Sequence, residues 1–414
     1  MSELPNSWVT TSIGVVAEVF AGRTPSRFEA RLEASQRGGR TVPFYKVGDM
    51  NAAPTFMDDA RVLFAKDEAK TFGITILSEG SVVFPKAGGA IATNKKRIIR
   101  TPGGIDLNCM SVTAKERILP RFLFYFFDRL DLTSLSTGSV LPQIGKKAVE
   151  STCLSLPPLA EQQRIVEILE EQFSRLDAAL TSIRTVREKA AAFRRSLLQV
   201  AFGNLETDGI LLGEVATVID CEHKTAPKTG GAPFAYSLGT SSIRSGTIRF
   251  ERSKPISQAT YEEWTARQAP EEGDLVLTRE APMGEVAIVP DSPLVALGQR
   301  TVLVHLDKEA MSPKFVHLVL LSPRTASWIA SHSVGTTVQH LNVADVKKIP
   351  LGELPTLLEQ ERIVQTVETD LSRLEAAVAI CNQLEARIAS ERRSLLHAAF
   401  SGALTEQWRT THNG

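Results

Sequence analysis

Cys221 and His223 stand two residues apart, close enough in the chain for a thiolate and an imidazole to share a metal ion. No second ligand pair with zinc spacing follows them, so they read as an ordinary loop cysteine and histidine, and no metal site is expected. Cys109, Cys153 and Cys381 are far apart and form no CxxC. That pattern fits a reducing compartment without a disulfide framework. The seven histidines are scattered. Pro157–Pro158 lies between Leu156 and Leu159, not in the Asn/Asp-Pro-Pro-aromatic setting of an amino-methyltransferase loop, and it caps a helix instead. Pro290–Asp291 and the later Asp345–Val346–Lys347 are too widely separated for a nuclease pattern. No GxGxxG, Walker A, HExxH or GxSxG motif is present. The residues therefore offer no catalytic site, and the chain reads as a binding protein.

The elements that must position any binding surface are organised by a duplication. Shifting the chain by 198 positions lays Pro157–Phe202 on Pro355–Phe400 without a gap, with 21 of 46 positions identical. The matches include Glu161/Glu359, Gln162/Gln360, Arg164–Val166/Arg362–Val364 and Arg194–Leu198/Arg392–Leu396. Neither copy contains Pro or Gly between Leu159 and Phe202 or between Leu357 and Phe400, so each predicts one helix of roughly 65 Å. Apolar residues at Leu169, Phe173, Leu176, Leu180 and Ile183 follow a 4-3-4-3 spacing. The phase then slips to Val186 and resumes at Ala190, Phe193, Leu197 and Val200. The second copy has Val367, Leu371, Leu374, Val378, Cys381, Leu384, Ile388 and Leu395. This is a coiled-coil seam with a discontinuity, and its nearest partner is the sister helix. The alternative is that each helix packs on its own globular unit.

The segments before the helices also correspond: EGSVVFPKAG with EGDLVLTREA, LPRFLFYFF with SPKFVHLVL, TGSVLPQI with VGTTVQHL, and IGVVAEV with LGEVATV. Runs such as SVVFP, KRIIR, DLVLT, VAIVP and TVLVHL predict strands, and helices should follow Pro120 and Pro313. The expected fold is α+β: a pseudo-two-fold repeat of two globular α/β domains alternating with two long helices. Its bounds are 1–152, 153–205, 206–350 and 351–414. The C-terminal segment followed by the N-terminal one imitates the internal linker, so both termini should lie close together. A chain of 414 residues with 43% hydrophobic residues supports two cores. The opening MSELPNSWVT has no signal-peptide character, and no run of 18 apolar residues occurs, so a cytoplasmic protein without a membrane partner is expected.

The proline followed by L-x-EQ-x-RIV, the long helix ending in RRSLL-x-x-AF, and a second copy after a divergent domain resemble the specificity subunit of type I restriction–modification enzymes. The resemblance covers essentially the whole chain. It implies two target-recognition domains, each reading one half of a split double-stranded DNA site, which should be asymmetric because the domains differ. It implies that the helices pack antiparallel as a spacer. It also implies two methyltransferase subunits, which hold S-adenosylmethionine, and restriction/translocase subunits as partners. This chain itself would carry no cofactor and no catalytic residue. The formal net charge of zero favours the other reading, a coiled-coil scaffold joining protein-binding domains without DNA.

On the DNA reading, the strongest basic cluster is PKAGGAIATNKKRIIR, with Lys86, Asn94, Lys95, Lys96, Arg97 and Arg100 around Gly88–Gly89. Arg279 is the counterpart of Lys86. The alternative for this cluster is a solvated hairpin. The loops Ser139–Gln143 and Thr336–His340 offer Gln143, Gln339 and His340 to base edges, or serve simply as turns. Lys46 and Arg244 occupy matching loops, and Arg300 is either a DNA contact or half of an internal salt bridge.

Overall fold

A computed structural model describes residues 4–25, 41–138, 140–203, 209–335 and 339–412. Two compact units emerge: Met1–Ser182 with Leu384–Gly414, and Ile183–Gln383. The division runs through both long helices rather than between helices and globular parts, because each helix contributes one end to each core.

In the first unit a sheet is built in the order Ala17–Ala21, Cys109–Ala114, Val82–Pro85, Arg97–Ile99, Phe56–Met57. All its pairings are antiparallel except the last, which is parallel. A smaller sheet has Thr41–Tyr45 in the middle, antiparallel to Val62–Ala65 and parallel to Gly104–Ile105. The second unit repeats this plan. Its sheet runs Ala216–Asp220, Thr301–Leu306, Leu275–Thr278, Val286–Ile288. Its smaller sheet has Ala235–Leu238 between antiparallel Lys254–Ile256 and parallel Val295–Leu297. All five apolar runs form strands, and the helices Pro120–Arg129 and Pro313–Leu320 begin at their prolines.

The central strands are apolar on both faces because both faces are covered. Val82 and Phe84 join the core made with Phe122, Phe126 and Phe127, whereas Val83 joins Tyr45, Ile99 and Cys109 on the other side. In the second unit Leu275 and Leu277 face one core and Val276 the other. Alternate residues thus reach opposite layers, as a strand requires.

The long helices span Leu159–Phe202 and Leu357–Ser401. In the first unit Arg392 lies over the Phe173 ring at 4.1 Å and pairs with Asp177 at 3.0 Å, while Glu161 meets Thr405 just beyond the second helix. The helices therefore run antiparallel. In the second unit Arg187 donates to Asn382 Oδ1 at 2.6 Å. Leu169, Phe173, Leu176 and Leu395 enter the first core together with Phe122 and Phe400. Leu197, Val367, Leu371 and Leu374 enter the second. Sister helix and globular domain thus share each apolar stripe, and the two packing alternatives are one arrangement.

The expected seam needs correction in its middle. Ile183 is buried, and Leu180 and Val378 are half-buried, but Leu384 is 44% exposed, as is Val186, while Phe193 and Val200 are exposed further still. No phase slip occurs. The less exposed positions include Ile183, Arg187, Ala190, Arg194, Leu197 and Ala201, an unbroken 4-3-4-3-4 series, with Leu198 and Phe202 buried beside its end. Two arginines occupy places where a hydrophobic pattern looks for apolar residues, because their aliphatic stems pack while their heads find Asn382 Oδ1 and Ser245 O.

The repeated motif residues are anchors. Gln162 is fully buried; its Oε1 accepts from Leu119 N–H at 2.8 Å, and its Nε2 donates to Arg117 O and Pro157 O at 3.0 and 2.9 Å. Gln360 repeats this with Ser312 N–H at 2.9 Å and Pro355 O at 2.9 Å. At the other end of each helix, Phe400 packs on Phe122 and Phe126, and Phe202 on Phe315. Glu161, 1% exposed, accepts from Trp8 Nε1, Thr405 and Arg409, and Gly402 leaves no room for a Cβ beside Pro5. The first and last described segments therefore meet in the first unit. No described helix is long and apolar enough to cross a membrane.

Candidate nucleic-acid interface

Three loops converge where the central strand of each sheet ends. In the first unit Lys86 follows Val82–Pro85; its N–H donates to Asn108 O at 2.8 Å and its carbonyl accepts from Ile144 N–H at 2.9 Å. Ala87 bridges Gln143, and Gly88 N–H donates to Pro142 O at 2.8 Å. In the second unit Arg279 follows Leu275–Thr278 and makes the same pair of bonds, to Arg300 O at 2.8 Å and from Leu341 N–H at 3.0 Å. Glu280 bridges His340. The frames are equivalent, so Lys86 corresponds to Arg279, Asn108 to Arg300 and Gln143 to His340. Gln143 and Gln339 are exposed and His340 is half-buried. Ser139 and Thr336, the starts of the two polar loops, lie outside the described residues.

Several expected contacts point elsewhere. Lys96 is 3% exposed; its Nζ donates to Leu130 O and Asn94 Oδ1, and burial pushes its pKa down to about 8. Arg97 is half-buried and spends its guanidinium on the carbonyls of Ala53, Met50 and Lys96. Asn94 has a left-handed backbone, φ 53°, and its Oδ1 also accepts from Leu132 N–H. Lys95 donates to Asn51. The basic cluster thus folds inward along its second half, since Leu130 O, just after the helix Pro120–Arg129, and Ala53 O, just after the helix Val47–Ala52, take cationic donors. Arg100 pairs with Asp58 and lies over the Phe56 ring.

Arg279 is likewise turned inward. Its side chain is 11% exposed, pairs with Asp220 at 3.1 Å and donates to Leu341 O. The Lys86 counterpart in the second unit is therefore a brace rather than an open cation. Arg300 is exposed, keeps a left-handed backbone at φ 67° and pairs with Glu280 at 3.0 Å. Arg244 Nη1 bonds Thr240 O and Ile243 O, stiffening its own loop. Lys46 caps the helix Val47–Ala52, where its N–H donates to Asp49.

Donor atoms of Asp220, Cys221 and His223 do lie within 4.8 Å of one another. Asp220 is already occupied by Arg279, His223 and the Cys221 N–H, and burial pushes the Cys221 thiol pKa up, against the thiolate a metal needs. Sequence reasoning passed over Asn108, although aligning NCMSV with RTVLV before the two matching strands would have found it. It also passed over Arg252 and Lys254, which the run RFERSK announces.

A family model for the type I restriction modification DNA specificity domain matches residues 5–185 and again 212–389. The chain belongs to this family. The two matched segments are DNA specificity domains, and family membership gives no support to a scaffold without a DNA role. It is similar to the EcoKI specificity subunit of Escherichia coli strain K12, 22% identical across 98% of this chain and 91% of that one. The EcoBI specificity subunit of Escherichia coli is 23% identical across 73% of this chain and 69% of that one. Two solved structures share the fold of this specificity-family chain. One, from work on complex assembly and conformational transition of the type I R-M system, has a TM-score of 0.68 at 18% identity, covering 98% of this chain and all of that one. The other, the HsdS subunit from Thermoanaerobacter tengcongensis, has a TM-score of 0.52 at 17% identity, covering 97% and 98%.

Proposed function

We propose that this chain is the non-catalytic reading subunit of a type I enzyme, in which each unit reads one half of a bipartite double-stranded DNA site. The observation that carries this reading is one loop frame repeated with different side chains: Lys86, Asn108 and Gln143 in one unit, Arg279, Arg300 and His340 in the other. Equal frames with unequal side chains suit unequal half-sites, so the full site is asymmetric. Lys86 holds a phosphate and positions the first unit, while Gln143 and Gln339 are exposed amides suited to the edge of adenine. The antiparallel helices serve as the spacer between half-sites and as the seat of two methyltransferase subunits, with restriction/translocase subunits completing the cytoplasmic assembly. S-adenosylmethionine belongs to the methyltransferase partner.

The test is co-expression with a type I methyltransferase subunit, followed by single-molecule methylome sequencing. A stable complex that methylates one asymmetric split site is expected. No complex, or methylation by this chain purified alone, refutes the reading. Lys86→Ala should lower DNA affinity of the complex about eight-fold at 0.1 M salt and reduce the salt slope by about one.

A further inference from the structure

The second unit carries a concavity of about 360 Å3 beside Arg300. Arg252, Lys254 and Arg300 line it together with Thr225, the Gly239–Ser242 turn and Gln299, and none of its lining residues is a carboxylate. Its walls are fixed by hydrogen bonds. Gly298 N–H donates to Leu238 O at 2.9 Å, and Ser242 N–H donates to Gly239 O at 2.9 Å. Gln299 accepts from Thr225 Oγ1 at 3.1 Å and donates to His223 O at 3.0 Å. A Cβ on Gly298 would stand 2.6 Å from Gly239 N, so the two turns touch through bare backbone. Arg252, Lys254 and several hydroxyls around the hollow, with Arg300 at its edge shared with Glu280 at 3.0 Å, are the chemistry of an anion seat.

Among the described residues, the corresponding place in the first unit is lined differently. By strand register Lys254, opposite Ser237, corresponds to Val62, opposite Phe44. The bond from Gly298 to Leu238 corresponds to that from Asp106 N–H to Tyr45 O, so Asp106 stands in place of Gly298 and Asn108 in place of Arg300. The two units thus differ here: the first has a half-buried Lys86 where the second has a braced Arg279, and it has a valine and an asparagine where the second has Lys254 and Arg300, with an aspartate in place of Gly298.

Resting on the DNA reading above, we propose that this hollow holds a backbone phosphodiester of the half-site bound by the second unit. It supplies the positioning contact that Arg279 cannot give, and Arg252 and Lys254 are its principal ligands. The experiment uses the chain in complex with a type I methyltransferase subunit and a duplex carrying its methylated site, with affinity measured from 0.05 to 0.3 M salt on the order used for such slopes. Arg252→Ala with Lys254→Ala should weaken binding roughly ten- to sixty-fold at 0.1 M salt and lower the slope by about two, equally on specific and unrelated duplexes. Ser241→Asp, an exposed lining position, should weaken binding similarly without removing any side chain the fold uses. Copurification with the methyltransferase subunit and an unchanged methylated sequence separate this from misfolding. If the wild-type complex methylates a split site and both variants keep its affinity and slope, the phosphate seat is refuted and the DNA reading stands. If the wild-type complex methylates nothing, the DNA reading fails and takes the seat with it.

Discussion

Replacing Gln162 by leucine isolates what the shared Glu-Gln motif does. The two side chains have similar volume, so the substitution removes hydrogen bonds with little loss of packing. Three groups lose their partner: the Leu119 N–H, which entered the amide oxygen at 2.8 Å, and the carbonyls of Arg117 and Pro157. Gln162 is fully buried, so water does not reach these groups easily. A stranded buried group costs about 1–3 kcal/mol, and the N–H has no second acceptor among the bonds described, so the total comes to about 3–5 kcal/mol. The cost falls on the first unit alone, because Gln360 makes the equivalent clamp in the second. Calorimetry should show the first unit's transition lowered by roughly 6–20 °C, at about 2–4 °C per kcal/mol for a unit of this size. The charge-bearing isostere sharpens the test. Gln162→Glu keeps the acceptor for Leu119 but aims a carboxylate oxygen at two carbonyls, so the folded state binds a proton that the unfolded chain releases. Its folded pKa lies above about 4.3, so stability is retained below that pH and lost as pH rises through the folded value. A Gln162→Leu chain within 0.5 kcal/mol of wild type, or a Gln162→Glu chain whose stability rises with pH, refutes the clamp.

Lys96→Met should leave the salt slope of DNA binding unchanged while removing a pH dependence. The folded pKa of about 8 lies below the unfolded lysine value, so the unfolded state binds more protons between the two, and the first unit gains stability as pH rises from about 8 to 10. Urea titrations of both chains at pH 7.5 and 9.5 check this, and an equal response in the two shows that Lys96 is not the group. Phe400→Ala should destabilise the first unit and Phe202→Ala the second, each by about 3–5 kcal/mol, because each ring plugs the core at the end of its helix. Differential scanning calorimetry assigns the affected transition, and a loss in the opposite unit overturns the anchoring scheme.

The duplication was legible because identity persists where local physics is strict. Gln162 and Gln360 each bind a backbone N–H that no shorter or branched side chain reaches, and Phe202 and Phe400 each fill one aromatic hole. The valine-rich strands were legible for the opposite reason: covered on both faces, they admit little besides apolar residues. The direction of a cation was not. Lys86 and Lys96 look alike in a basic run, yet Lys96 is drawn inward by a carbonyl 34 residues away. The seam failed similarly at Arg187 and Arg194, whose acceptors lie on the second helix and on a distant loop. Periodicity counts residue types, and burial of a long charged side chain depends on partners that periodicity does not contain.

The same point resolves the neutral net charge. A formal charge of zero argues against nucleic-acid binding only if cations and anions are spread alike. Here Arg279 is spent on Asp220, and Arg97 and Lys96 on backbone carbonyls, while many carboxylates lie along the long helices in pairs such as Arg164–Glu167 and Arg175–Glu171. On the proposed reading, DNA is steered by the charge left at the three-loop convergence, and that charge differs between the units although the backbone frame does not. A frame held by main-chain hydrogen bonds places no demand on the side chains that project from it. Lysine can therefore give way to a braced arginine, or aspartate to glycine, without disturbing the sheet behind. On that proposed reading the construction separates stability, carried by the buried motif residues, from specificity, assigned to the loop side chains, and it accounts for helices that keep their likeness while the globular parts have diverged.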